Sequence, residues 1–110
     1  MSYIPSKGDI VWVEFNPQKG HEQAGVRPAV VISPYEYNAK TSLAIVVPIT
    51  SKVKGYPFEV KIDGKKIKGV ALADQIKSLD YRVRNFSFIE KADDIALVEV
   101  LYKLKVLLKI

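Results

Sequence analysis

The chain's one histidine, His21, stands beside Glu22 and Gln23, and Arg27, one of three arginines, follows within the same seven-residue window. A carboxylate, an imidazole and a guanidinium so close together can move protons and hold a phosphate. The imidazole, with an ordinary pKa near ~6.5, can serve in either direction of proton transfer. The guanidinium clamps phosphate oxygens in bidentate fashion, but with a pKa above ~12 it is a poor proton donor. Such a set suits cleavage of RNA by its own ribose 2′-hydroxyl, which needs no metal. That reaction needs a base for the hydroxyl proton, stabilisation of the charged phosphorane, and a proton for the leaving 5′-oxygen. On this reading Glu22 is the base, Arg27 the electrostatic stabiliser and His21 a participant in either transfer. Thr50 and Ser51, further along the chain, supply hydroxyl donors for the same phosphate. Each residue also has a plainer reading. His21 can be a solvated loop residue, Glu22 a surface partner of some lysine worth little, and Arg27 an exposed residue where a strand begins. On composition and spacing alone both readings stand, and the chain is a small basic β-domain.

These side chains must be placed by the elements around them. Asp9–Phe15 is β-branched and aromatic and predicts a first strand, with Trp12 and Phe15 on opposite faces by the two-residue alternation. Residues 16–26 form a loop longer than ordinary hairpin connections, bracketed by Gly20 and Gly25. A second strand is expected over Arg27–Ser33, then a short helical turn over Tyr35–Lys40 with Ser33 as N-cap and Pro34 in its first turn. Leu43–Ile49 is almost wholly apolar and reads as a strand buried on both faces, with Pro48 marking an edge or bulge. Phe58–Ile62 alternates and turns through Asp63-Gly64 towards a strand at Gly69–Ile76. An irregular turn and a further strand occupy Leu79–Phe88. From Asp93 to Ile110 the leucines 97, 101, 104 and 108 share one helical face, with Ile95, Val98 and Tyr102 beside it. Acids at its start and lysines at its end suit the helix dipole. Several short strands closed by one helix predict a small, strongly curved sheet or barrel.

Composition narrows the function classes. A chain of 110 residues with 48% hydrophobic and 26% charged residues is expected to form one globular domain over 1–110. Without cysteine there is no disulfide framework or thiol nucleophile, and a single histidine argues against a transition-metal site. No cofactor is expected. The N-terminus lacks the apolar run of a signal peptide, and no stretch is long enough to span a bilayer, so a soluble cytoplasmic protein is expected. The net charge is +5. Much of the excess lies between Thr50 and Val70, where six lysines face only Glu59 and Asp63. That surplus suits either a phosphate backbone or a merely solvated hairpin.

Read together, the motifs resemble the MazF/PemK (Kid) family of toxins. The resemblance runs from Lys7 to Arg84. It is carried by Lys7-Gly8-Asp9-Ile10-Val11-Trp12-Val13, Asn16-Pro17, Gly20-His21-Glu22-Gln23-Ala24-Gly25-Val26-Arg27-Pro28 and Ser33-Pro34 with Tyr37-Asn38. It continues through Val47-Pro48-Ile49-Thr50-Ser51, Lys54-Gly55-Tyr56-Pro57-Phe58-Glu59-Val60 and Gly69-Val70-Ala71-Leu72-Ala73-Asp74-Gln75-Ile76-Lys77-Ser78-Leu79-Asp80. The Tyr56-Pro57-Phe58 stretch is closer to MazF than to Kid.

The resemblance implies an SH3-like β-barrel with added helices. It implies a sequence-specific, metal-independent endoribonuclease that cuts single-stranded mRNA to 2′,3′-cyclic phosphate and 5′-hydroxyl ends. It also implies a homodimer, with RNA in a basic groove, and a MazE-like antitoxin whose acidic C-terminal segment competes for that groove. By motif position Glu22, Arg27 and Thr50 match the MazF catalytic residues, while His21 and Asp74 match residues implicated in Kid. Leu72 stands where Kid has an arginine, which moves the weight to Glu22 and Arg27. Gln23, Ser51, Lys54, Tyr56, Phe58, Asp74, Gln75 and Lys77 are the matching candidates for RNA contact. A different class shares the superfold, the CcdB-like non-enzymatic inhibitors of DNA gyrase. This chain carries the GxEQxGxRP element they lack and ends Leu108-Lys109-Ile110 rather than Trp-Gly-Ile. A barrel that binds RNA without cutting it is a third reading.

Overall fold

The computed structural model describes residues 3–15 and 25–110. In chain order the elements are β1 (Asp9–Phe15), β2 (Gly25–Val31), α1 (Tyr35–Thr41), β3 (Leu43–Thr50), β4 (Glu59–Asp63) and β5 (Lys68–Leu72). A 3₁₀ turn (Ala73–Gln75), β6 (Lys77–Asp80), β7 (Ser87–Lys91) and α2 (Asp94–Leu108) complete it. The strands join in one antiparallel sheet of order β4-β5-β3-β2-β1-β7, with β6 paired to β3. The expected class, mainly β with a C-terminal helix, is what the chain forms.

Alternation along the strands builds a core on each face of the sheet. Ile10, Val30, Val47, Ile49, Val60, Ile62 and Ala71 point to one side, where Ala96, Val100 and Leu104 of α2 cover them. Val11, Val13, Phe15, Ala29, Val31, Ala44, Val46 and Leu79 point to the other, closed by Tyr81 and Phe86. The first strand divides as expected, with Phe15 buried and Trp12 41% exposed.

Four local expectations change. The second strand occupies Gly25–Val31, two residues earlier than predicted. Ser33 does not cap α1, whose N-cap is Pro34. Its hydroxyl instead donates to Asn38 Oδ1 at 2.6 Å and accepts from the Ile45 amide at 2.8 Å. A buried amide needing partners outbids the helix end, because an unpaired polar group in the core costs more than an exposed cap gains. The strand predicted over Gly69–Ile76 stops at Leu72, where the backbone tightens into the 3₁₀ turn. On α2 the buried stripe is Ala96, Val100 and Leu104, flanked by half-buried Leu97 and Leu101, while Leu108 is exposed. The small Ala96 lets the helix approach the sheet, which rotates the leucine stripe off centre.

Two connections set the geometry of the site end. Strand β3 pairs with β6 over Leu43–Val46 and with β5 over Ile49–Thr50. Pro48 falls in the interval between those ladders, where a residue without an N–H fits. The β4–β5 hairpin is longer than a two-residue turn, since Asp63 pairs with Lys68 and the Gly64 amide donates to the Ile67 carbonyl at 2.9 Å.

Glu90 of β7, at one end of the sheet, accepts from the amides of Lys65 and Lys66 at 3.0 Å and of Ile67 at 2.9 Å, in the hairpin at the other end. A Cβ on Gly64 would collide with that carboxylate. The sheet therefore curls until its end strands are tied together. Burial opposes ionisation of Glu90, but the three amide donors and the nearby Lys66 outweigh it and hold the carboxyl below its ordinary value. A depressed folded-state pKa gives stability that is present above the unfolded glutamate value and lost as pH falls through the folded value. Glu90→Gln should therefore lower stability at neutral pH by about 0.5–1 kcal/mol, since solvent screens much of the carboxylate's interaction with its donors. Thermal melts of variant and wild type should converge as pH drops below about 4.

Candidate functional site

Thr50 is the last residue of β3 and 5% exposed. Its backbone is fixed by the pairing with Val70, and its Oγ1 accepts from the Lys52 amide at 3.2 Å. Gly69, at φ +154°, brings β5 hard against this point, since a Cβ there would strike the Thr50 carbonyl. Arg27 is half-buried in β2, opposite Val13 of β1. The β2–β3 register pairs Ala29 with Pro48. Arg27 and Thr50 each lie two residues beyond that pair, and the two-residue alternation along both strands puts them on its face. Ala29, Val31, Ala44 and Val46 show which face that is, the side of the Phe15 and Tyr81 core. Lys77 opens β6 opposite Val46 and by the same alternation joins it. The fold thus brings a guanidinium, a hydroxyl and an ammonium from three strands to one side of the sheet.

Asp74 and Gln75 lie in the 3₁₀ turn between β5 and β6, Asp74 exposed and Gln75 half-buried. That turn bridges the interval where β3 changes partners, so it borders the same end of the sheet. Ser51 follows Thr50 and is exposed. Beyond it, Lys54 and Tyr56 project from the segment before β4, with the Lys54 ammonium 5.9 Å from the Tyr56 ring centre. Tyr56 is 59% exposed, whereas Phe58 is half-buried and its carbonyl accepts from the Ala73 amide at 3.2 Å. The six lysines between Thr50 and Val70 are all exposed, and Lys68 pairs with Asp63 at 2.7 Å. That pairing, with Lys61 near, holds the Asp63 carboxyl below its ordinary value.

His21, Glu22 and Gln23 lie outside the described residues. Among the described residues no three His, Asp or Glu side chains gather as a metal centre would require. The structure adds residues that the sequence reading passed over. Gly69 seats Thr50, and Glu59 and Lys103 hold the segment bearing Lys54 and Tyr56. Small residues at 69–73 hint at the first. Nothing local announces the second, because Lys103 lies 44 residues beyond Glu59.

The arranged groups can bind and polarise a phosphodiester, with cations and a hydroxyl on one face and an exposed aromatic ring with lysines alongside. Comparison with known proteins bears on that chemistry. Residues 6–108 match the family described as PemK-like, MazF-like toxin of type II toxin–antitoxin system. The endoribonuclease toxin MazF of Escherichia coli K12 is 57% identical over 82 residues, which are 74% of each chain. The crystal structure of MazF from Deinococcus radiodurans superposes with a TM-score of 0.94 at 46% identity, covering 99% of this chain and 100% of that one. A MazE–MazF structure from the same organism gives 0.88 at 44% identity, covering 98% and 99%.

The seating of Thr50 gives a direct test. Gly69→Ala must push the Thr50 carbonyl away, and overpacking of this kind costs about 1–3 kcal/mol. Denaturant unfolding should register that loss, whereas an alanine at Gly55, whose Cβ would meet open space, should cost less and only through its positive φ.

Proposed function

The chain belongs to the PemK-like, MazF-like family of type II toxin–antitoxin toxins, and from that premise we propose that it cuts single-stranded mRNA at specific sequences, without a metal. Its relatives are named endoribonucleases, and endoribonuclease is the activity of this chain. The reaction is attack of a ribose 2′-hydroxyl on the adjacent phosphate, leaving a 2′,3′-cyclic phosphate and a 5′-hydroxyl. Glu22 takes the hydroxyl proton. Arg27 meets the charge that develops on the phosphorane, and Thr50 donates a hydrogen bond to the same group. His21 is the candidate for returning a proton to the leaving oxygen. Gln23, Ser51, Lys54, Tyr56, Phe58, Asp74, Gln75 and Lys77 hold the strand on either side of the cut.

The observation that carries this reading is that Arg27, Thr50 and Lys77, from three different strands, share one face of the sheet. A fixed guanidinium acts best where water is partly excluded, and both Arg27 and Thr50 sit in the wall of the sheet rather than at its surface. Exposed lysines and the Tyr56 ring support a single strand as substrate, because unpaired bases stack on aromatic faces while the backbone follows positive charge.

The same reading includes a homodimer, a MazE-like antitoxin and a cytoplasmic location. Among the described residues no helix is long and apolar enough to cross a membrane. The outer side of α2 leaves Ile95, Val98, Tyr102 and Val106 exposed, an apolar stripe suited to a second copy. The Deinococcus structures that pair MazE with MazF support an antitoxin partner. An acidic peptide segment would suit the lysines that RNA also needs. The gyrase-inhibitor alternative draws no support from the matched family or relatives.

Incubation of a long single-stranded RNA with the purified protein in EDTA tests the mechanism. Wild type should give defined fragments with cyclic phosphate ends, identified by mass. Glu22→Ala and Arg27→Ala should each slow cleavage by about 10²–10³-fold, and Thr50→Val by roughly tenfold. No cleavage in EDTA, or unchanged cleavage by Arg27→Ala, would sink it.

A further inference from the structure

Lys103 points from α2 at the backbone, not at an acid. Its ammonium donates to the Pro57 carbonyl at 2.6 Å and to the Glu59 carbonyl at 2.9 Å. Those two carbonyls stand at the end of the segment that carries Ser51, Lys54, Tyr56 and Phe58. The other half of that segment is held by Glu59 itself. Its carboxylate accepts from the Lys54 amide at 3.0 Å and the Gly55 amide at 2.9 Å, and the Glu59 amide donates to the Tyr56 carbonyl at 3.1 Å. Gly55, at φ +82°, makes the turn those bonds require. A third anchor is the Ala73 amide on the Phe58 carbonyl.

A stretch of eight residues between two strands, mostly exposed, would by itself sample many conformations. Here every anchor comes from outside its tip, and the tip presents the Tyr56 ring with the Lys54 ammonium near it. A loop ordered before its ligand arrives loses less conformational freedom on binding, so its rigidity is felt as affinity. The bonds from the Lys103 ammonium to two carbonyls are charge-assisted, as are those of the Glu59 carboxylate, and both exceed the neutral amide bond from Ala73. Those of Lys103 are also the ones that join the loop to the helix.

We propose that Lys103 is a positioning residue for RNA binding. Through the Pro57 and Glu59 carbonyls it holds the Lys54–Phe58 loop in the form that receives the RNA strand, with a base against Tyr56. The proposal rests on the reading of this loop as an RNA contact. Lys103 touches neither the reacting phosphate nor the strand, so its removal should act on KM and spare kcat.

The test is steady-state cleavage of a short fluorogenic RNA with one cut site, by wild type, Lys103→Met, Lys103→Arg and Tyr56→Ala, beside thermal melts. Lys103→Met keeps the apolar stem and removes the donors. It should raise KM about tenfold with kcat within about twofold of wild type. Lys103→Arg, which can still donate to two carbonyls, should recover most of the loss. A role confined to pinning α2 would lower the melting temperature and leave KM unchanged, and that result overturns the proposal. So does a fall in kcat at constant KM. If Tyr56→Ala raises KM and Lys103→Met does not, the loop reading stands and the positioning role fails. If neither moves KM, the loop is not an RNA contact and both fail. Should Lys103→Met not fold, Lys103→Leu, which also removes the donors, carries the same comparison.

Discussion

Strand β3 pairs with β2 along one edge, and on the other with β6 over its first half and β5 over its last residues. Most of the architecture depends on that change of partner. It lets one strand pair with two others along the same edge, the ladders parting across Val47 and Pro48. It leaves an interval between the ladders that the 3₁₀ turn bearing Asp74 and Gln75 spans. It also ends β3 inside the fold, with Thr50 buried rather than frayed into solvent. A short sheet with free edges would invite pairing with other chains. Here the curl brings β7 to the β4–β5 hairpin, and the Glu90 carboxylate ties the two through backbone amides.

The placement of the groups proposed to bind a phosphodiester follows from this change of partner. Arg27, Thr50 and Lys77 belong to three different strands, and only the shared registers bring them to one face. Each is anchored in a ladder whose neighbours are fully buried, such as Val13, Ala29 and Val46. Side chains that start from so rigid a base need little reorganisation when charge develops near them, which is how fixed donors stabilise a transition state. The loop before β4 shows a different strategy. It is exposed and charged, and its order comes from outside its tip, from Glu59 at the start of β4 and Lys103 of α2. Rigid groups in the sheet and an anchored but exposed loop beside it are the division that the proposed cleavage of a flexible strand at one place would require.

Charge has two roles in the molecule. Several acids are engaged by backbone amides, lysines or a hydroxyl: Glu59 on the loop tip, Glu90 on the hairpin, Asp63 on Lys68, and buried Asp9 on the Tyr3 hydroxyl, the Ser6 amide and Lys91. With these acids engaged inside the fold, the lysines of the Thr50–Val70 region dominate the field that a polyanion would meet. An RNA strand and an acidic peptide segment would compete for the same surface by the same physics.

Much of the fold was legible from residue order. Alternation in Asp9–Phe15 and Glu59–Asp63, the apolar run ending at Thr50, and the polarity of the last helix all carry their own period, and local periodicity is what a sequence displays. The motif around Gly20–Pro28 likewise named Glu22 and Arg27 as reactive types before any fold was known. The misses share one cause. Ser33 was drawn to Asn38, the strand after Gly69 stopped at Leu72, and α2 turned Ala96 inward in place of the outer leucines, each decided by a neighbour remote in the chain. The grip of Lys103 on Pro57 and of Glu90 on Lys65–Ile67 is of the same kind. The sequence by itself determined which elements form and which side chains can do chemistry, because both follow from near neighbours. Only the tertiary structure decided that Arg27 and Thr50 share one face of the sheet and that a helix holds the Tyr56 loop, because registers and hydrogen bonds between distant residues exist only once the sheet has closed.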